Sequence, residues 1–136
     1  MNLMLDDWVE LCGLESRGEP YRVNSVNKGD TWDDNYITVK EYNDRFYVGE
    51  YKPIAITDDI LKKNGFIEDE VLGNYTYHIS RNSSIVYFKE THRLDKLFFT
   101  LMDGDGGRIT FRCFCYFVHE LQQALRLANT NIDIKL

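Results

Sequence analysis

The fold is decided by the stretch RITFRCFCYFVHELQQALRLA, residues 108–128. It opens as an alternating run of polar and apolar side chains, which is typical of a β-strand. From residue 117 onward the apolar side chains recur at helical spacing instead: Phe117, Val118, Leu121, Ala124, Leu125 and Ala128. The stretch therefore predicts a strand that leads into an amphipathic helix lying back on a sheet. The polar face of that helix is expected to meet water or a partner: His119, Gln122, Gln123 and Arg126.

Length and composition place the chain among folded globular proteins. Its 136 residues, 43% hydrophobic and 14% aromatic, fit one domain with a real core and exclude a disordered chain. The 9 Tyr and 8 Phe residues favour β-structure. The first residues lack the features of a signal peptide, and no window approaches the roughly 18 apolar residues of a membrane span. Together with three cysteines that fit a reducing compartment, this predicts a soluble cytoplasmic protein.

The net charge of −6 is unevenly distributed along the chain. Residues 1–70 hold 16 acidic and 8 basic residues, a net −8, whereas residues 71–136 hold 6 acidic and 8 basic residues, a net +2. All three histidines also lie in the second half. The acidic half makes nucleic acid an unfavourable partner, and the second half is where an anionic ligand would be tolerated.

The first 66 residues are predicted to form short strands and one short helix. The strands are expected near residues 6–13, 20–26, 36–40 and 45–48, with a tight turn at Asn43-Asp44. This spacing suggests a small meander or a partly closed, SH3-like barrel over residues 1–50. Residues 51–66 should connect the two halves through a helix with Thr57 as its N-cap and Gly65 just beyond its end.

The second half is predicted to be an antiparallel sheet covered by the C-terminal helix, over residues 67–136. Its four strands should begin near Tyr75, Ile85, Leu97 and Arg108, and residues 131–136 could add an edge strand. The predicted fold is therefore α+β within a single domain, residues 1–136. In chain order it has an N-terminal SH3-like small β-barrel or meander, a short capped helix, and an antiparallel sheet packed by a C-terminal helix.

Two segments, PIAITDDILKKNGF at 53–66 and YFVHELQQALRL at 116–127, carry a family resemblance together with Asp7-Trp8-Val9. They resemble a group of small uncharacterised proteins encoded by phages and mobile elements of Bacteroidetes. The resemblance implies a bacterial cytoplasm during infection or element transfer, and an accessory or counter-defence role. It carries over no catalytic residue.

Short motifs for catalysis or metal binding are weak in this chain. The loop at residues 103–107, DGDGG, has the composition of a calcium loop but not its pattern. Its sixth position is Arg108 where glycine is required, and its twelfth is Phe114 where glutamate should be. The cysteines and histidines lack zinc-site spacing, so buried structural thiols are favoured. Cys115 and His119 could act as nucleophile and base, but the sequence offers no third group to orient the histidine.

One constellation of polar residues could hold a ligand. Arg108, Thr110 and Arg112 alternate along one face of their predicted strand, and His78 lies on the polar face of another. Guanidinium groups, a histidine and hydroxyls suit a phosphate, and Tyr116 could stack on a base. The alternative is an ordinary solvated sheet face, which is the norm for antiparallel sheets. The predicted ligand-binding residues are Arg108, Arg112, His78, Thr110 and Tyr116.

These observations lead to two hypotheses about function. The first is a non-enzymatic binding protein that sequesters a small anionic, nucleotide-type ligand or a host protein. The alternative is an enzyme that acts on a phosphorylated or nucleotide substrate through His78 or His119 with arginines. No catalytic residue, metal or cofactor is predicted. A homo-oligomer is compatible with the sequence, and a membrane partner is not expected.

Overall fold

The computed structural model describes residues 2–12, 19–71, 73–80, 83–89, 97–103 and 108–136, with the backbone alone for residues 43, 88–89, 97–103 and 108–113. Over these residues the protein is α+β, with antiparallel strands in two five-stranded sheets and a C-terminal helix, which confirms the predicted class. The chain divides into two compact units. One holds residues 1–55 and 117–119, and the other holds residues 56–116 and 120–136.

The first unit has five strands, of which the first four form a meander. These are β1 (Trp8–Leu11), β2 (Pro20–Asn27), β3 (Tyr36–Val39), β4 (Tyr42–Tyr47) and β5 (Tyr51–Pro53). They follow the spatial order β4-β3-β2-β1-β5, so the fifth strand returns to lie beside the first. Sequence reasoning missed β5, because three residues that end in a proline look like a break in the chain.

The turn between β3 and β4 differs from the predicted one. The chain reverses at Lys40-Glu41, and Asn43-Asp44 lies inside β4. The register pairs Ile37 with Phe46, and both side chains pack into the core of this unit. Burial of that apolar pair fixes the register and overrides the local turn signal.

The core of the first unit follows the period of two that the sequence shows. Its buried apolar residues are Leu3, Val9, Leu11, Tyr21, Val23, Ile37 and Val39. Within each strand these residues are separated by one outward-facing position, as the pleat of a strand requires. The unit therefore owes its sheet to alternating aliphatic residues.

The second unit contains helix α1, a five-stranded antiparallel sheet and most of helix α2. The elements are α1 (Asp58–Lys63), β6 (Ile67–Asp69), β7 (Asn74–His78), β8 (Ser83–Lys89), β9 (Leu97–Asp103), β10 (Arg108–Phe114) and α2 (Val118–Leu127). The strands follow the order β10-β9-β8-β7-β6. The four predicted strands are present. Sequence reasoning missed β6, whose three residues begin with the exposed pair Ile67 and Glu68.

Helix α1 has the capped ends that the sequence predicts. The Thr57 hydroxyl accepts a hydrogen bond from the Ile60 N–H at 3.3 Å. At the other end Gly65 has a φ of +87°, and the Phe66 N–H donates to the Leu61 carbonyl at 3.0 Å. This six-to-one hydrogen bond satisfies a carbonyl that the helix end would otherwise expose.

Helix α2 buries its apolar stripe as predicted, but part of its polar face is buried too. Leu121 and Leu125 have no exposed surface. His119 and Gln122 are only 3% and 2% exposed, so the prediction that they face water or a partner is wrong. The His119 ring stacks on Phe117 with ring centroids 5.9 Å apart.

Gln122 is buried because the chain after the helix covers it. We call residues 129–136 the extended segment. The Gln122 carboxamide donates to the Ile132 carbonyl at 3.0 Å and accepts from the Ile134 N–H at 2.7 Å. The Ile134 side chain is fully buried. The edge strand predicted over residues 131–136 is not formed, since these backbone groups bond to a side-chain amide.

In the described part of the chain, neither helix is long and apolar enough to cross a membrane.

Candidate functional site

The predicted anion-binding strand, β10, lies at one edge of the sheet in the second unit. A β-bulge around Thr110 shifts its register with β9. Arg112 pairs with Thr100, whereas Arg108 pairs with Asp103. Residues three apart on one strand belong to opposite faces of a sheet. The register therefore places Arg108 and Arg112 in rows of opposite faces, unlike the simple alternation expected from the sequence.

Arg112 and His78 occupy rows of the same face but lie far apart. The row of Arg112 continues through Thr100 and Val86 to Thr76 on β7. His78 is two residues further along that strand and is exposed. Because β8 and β9 separate β7 from β10, the two residues lie more than about 14 Å apart, which is three strand spacings. They cannot both bind one phosphate, although a longer ligand could span them.

Of the remaining predicted ligand-binding residues, the structure describes the side chain of Tyr116 alone. Tyr116 is half-buried just after β10, and its N–H donates to the Glu120 carboxylate at 3.1 Å. The side chains of Arg108, Thr110 and Arg112 lie outside the described residues. The anion-binding face therefore stays a prediction.

A different surface, on the first unit, gathers one exposed tryptophan and two half-buried tyrosines. We call Trp32, Tyr36 and Tyr47 the aromatic surface. Tyr36 and Tyr47 are cross-strand partners on β3 and β4, with ring centroids 6.0 Å apart. The Trp32 ring meets the Tyr47 ring edge-on at 5.5 Å and is 75% exposed. A tryptophan left in water beside two tyrosines is a common feature of protein-binding surfaces.

A cation already rests on this surface. The guanidinium carbon of Arg45 lies 4.5 Å from the centre of the Tyr36 ring. This distance is within the range of a cation–π interaction, which strengthens when the cation is shielded from water. The aromatic surface can therefore accept a planar cation.

The loop that carries Trp32 is held in one shape by its own side chains. The Asn35 amide donates to the carbonyls of Gly29 and Thr31, at 3.0 and 2.7 Å. The Thr31 hydroxyl lies 2.8 Å from a carboxylate oxygen of Asp33 and 2.9 Å from one of Asp34. These contacts hold the loop that carries Trp32 and the exposed residues Asp33 and Asp34.

The charge of the first unit matches a cationic partner. Residues 1–55 hold 11 acidic and 6 basic residues, a net charge of −5. An acidic unit attracts basic segments over distances longer than a single contact and repels nucleic acid. Sequence reasoning missed this site because it took residues 27–35 only as a turn. The signal that could have revealed it was a tryptophan within an Asp- and Asn-rich loop.

Raised pKa values occur on tyrosines that serve the core. Burial, followed by the nearby carboxylates of Asp58 and Glu68, raises the pKa of Tyr75 to about 12. Burial also raises the pKa of Tyr87, whose hydroxyl donates to the Cys115 carbonyl at 3.1 Å. Both phenols stay protonated at neutral pH and act as structural groups.

Among the described residues, no group of three His, Cys, Asp or Glu side chains could hold a metal ion.

The chain matches no protein-family model, no curated protein and no solved structure at a significant level. Function therefore has to be argued from the chemistry of the sites themselves. Of the sites described above, the aromatic surface has the most complete geometry, because every side chain that forms it is described.

Proposed function

We propose that this protein is a non-enzymatic binding protein that sequesters a host protein. Its aromatic surface would engage a basic, extended segment of that partner. The observation that carries the proposal is the exposed Trp32 ring, fixed beside Tyr47 and next to a tyrosine that already holds a guanidinium. Tryptophan and tyrosine are enriched among the residues that supply most of the free energy of protein association.

The proposed contact has three parts. An arginine or lysine of the partner would lie over the free faces of Trp32 and Tyr47, as Arg45 lies over Tyr36. Asp33 and Asp34 would supply the opposite charge. The aliphatic stem of the partner's side chain would cover the rings, so that the contact excludes water as well as pairing charges.

A finer fold assignment for the first unit would suit this function. We propose that its five strands, with the last beside the first, form an SH3-like barrel. SH3 domains bind extended peptides in aromatic-lined grooves. The resemblance to proteins of phages and mobile elements adds the context in which we propose that this binding acts. That context is a counter-defence role in a bacterial cytoplasm, with a captured host protein as partner.

The test is titration of the full chain with octapeptides rich in arginine and lysine, each compared with the same peptide carrying glutamine instead. Trp32→Ala should weaken binding of the best basic peptide by about thirtyfold, the loss expected for an interface hot spot. Leu127→Ala, which removes an equally exposed apolar side chain from the second unit, is the control and should leave affinity unchanged.

Arg45→Gln tests whether the aromatic surface binds cations specifically or only makes apolar contacts. Removal of the resident guanidinium frees the Tyr36 ring and lowers the positive charge, so binding of basic peptides should tighten. The proposal fails if wild type does not distinguish basic from glutamine peptides, or if Trp32→Ala binds like wild type. It also fails if Arg45→Gln weakens the binding of basic peptides.

A further inference from the structure

The second unit contains a cavity that plays no part in the proposed protein binding. Its volume is about 690 Å³, within the range of small-molecule sites. It lies between the end of α1, strand β7 and the extended segment. Its chemistry comes from Lys63, Tyr77, Asn131, Asp133 and Lys135.

The walls of the cavity are held by two side-chain amides that bond to backbone. The Asn64 amide donates to the Lys135 carbonyl and accepts from the Lys135 N–H, both at 2.7 Å. It also donates to the Ile60 carbonyl at 2.8 Å, which ties the extended segment to the end of α1. Gln122 holds the same segment through the Ile132 carbonyl and the Ile134 N–H. A ligand therefore meets a formed site and does not have to order it on binding.

The charged groups around the cavity favour an anion. Lys63 and Lys135 both line it and are exposed, against the single carboxylate of Asp133. Lys62, one residue earlier, points its ammonium group to Glu68 at 3.0 Å and is not part of the lining. Lys135 lines the cavity, and its backbone is fixed by two hydrogen bonds to the Asn64 amide.

The cavity also offers one aromatic ring with a fixed position. Tyr77 packs against Phe66 with ring centroids 5.5 Å apart. Gly65 lies under the same ring, where a Cβ would come within 3.1 Å of a ring carbon. Tyr77 is therefore a supported wall on which a planar base can stack.

We propose that this cavity binds a mononucleotide, with its base against Tyr77 and its phosphate between Lys63 and Lys135. The two ammonium groups pair with the phosphate, and the asparagine amides and the Asp133 carboxylate offer hydrogen-bond partners for the sugar and base edges. Neither a bare phosphate nor an uncharged nucleoside would use both halves of the site. The protein would then carry a small-molecule site in addition to its protein-binding surface.

The experiment is calorimetric titration of the full chain with the four ribonucleoside monophosphates, the matching nucleosides and inorganic phosphate. At least one monophosphate should bind, with its nucleoside and inorganic phosphate at least about tenfold weaker, since each lacks one set of contacts. Lys63→Gln and Lys135→Gln should each weaken that monophosphate about tenfold. Lys62→Gln removes the same charge one residue away and should leave the affinity unchanged. Tyr77→Leu should weaken it by at least about fivefold through lost stacking.

Three results would overturn the site. The first is that wild type binds none of the monophosphates at millimolar concentration. The second is that the double variant Lys63→Gln, Lys135→Gln binds them as wild type does. The third is that Arg112→Ala removes the binding while that double variant keeps it, which would move the ligand to the sheet face.

Discussion

Replacing Gln122 by leucine tests how the extended segment is held. Leucine has nearly the same volume as glutamine and suits a position that is 2% exposed, so the change leaves no large cavity. It removes both hydrogen bonds to the extended segment, those to the Ile132 carbonyl and the Ile134 N–H. The effect on stability therefore reports these two bonds and little else.

The size of the loss follows from the two states open to the variant. If the segment stays in place, the buried Ile134 N–H lacks a partner, which costs about 1–3 kcal/mol. The Ile132 carbonyl is only partly buried and can reach water, so it adds less. If the segment instead detaches, the fully buried Ile134 side chain loses about 1.5–3 kcal/mol of burial. The variant will populate the state with the smaller loss, so its free energy of unfolding should fall by about 2 kcal/mol.

The assay is urea denaturation combined with hydrogen exchange at the amide of Ile134. The variant should unfold at lower urea, and exchange at this amide should be faster by about thirtyfold, the equivalent of 2 kcal/mol. Gln123→Leu makes the same chemical change on the next, half-buried position, and because Gln123 makes neither of these two hydrogen bonds it should leave exchange at the Ile134 amide unchanged. An unchanged midpoint together with unchanged protection of the Ile134 amide would refute the idea that Gln122 holds the segment.

The other predictions concern the caps, the core and the sheet face. Thr57→Ala should cost about 1 kcal/mol in urea denaturation through loss of the helix cap. Gly65→Val should cost more, because valine must adopt the φ of +87°. Leu121→Ala should cost about 2–5 kcal/mol, and an unchanged midpoint would show that this helix face is not core. For a ligand long enough to span the sheet face, such as ADP-ribose, Arg112→Ala should weaken binding at least about tenfold without changing Tm. Arg108→Ala should have little effect, since its row belongs to the other face; equal losses in both variants would contradict the register.

The parts of the fold that sequence predicted are those in which a local pattern alone determines the structure. The cap at Thr57 and the glycine at 65 act within one turn of a helix, and alternating apolar residues define strands β1, β2 and β3. The strands that were missed, β5 and β6, have three residues each, too few to show a period. Gln122 was assigned to solvent because a polar residue on an amphipathic helix normally faces water. Its burial depends on residues 10 and 12 positions later in the chain.

The sites were harder to predict because they depend on pairing between strands. Tyr36 and Tyr47 are eleven positions apart in sequence, and only the β3–β4 register makes them neighbours. The cavity likewise joins the end of α1 to the extended segment through Asn64 and Lys135, 71 residues apart. A reading of local patterns could identify candidate residues for such sites but could not assemble them.

The bulge around Thr110 shows why an alternating pattern is a weak basis for a site. Assigning Arg108 and Arg112 to one face assumes an unbroken ladder, in which every second residue points the same way. One extra residue in β10 reverses the assignment for everything before it, because two residues then oppose one on β9. The apolar positions do not reveal the change, since Ile109 and Phe111 are apolar on either side of the bulge. A paired-arginine site inferred from spacing is therefore correct only if the strand that carries it is regular.

By contrast, the aromatic surface depends on a directly paired Tyr36–Tyr47 contact and on the ring of Trp32 packed against it. This difference is the physical reason for proposing that the first unit binds a protein.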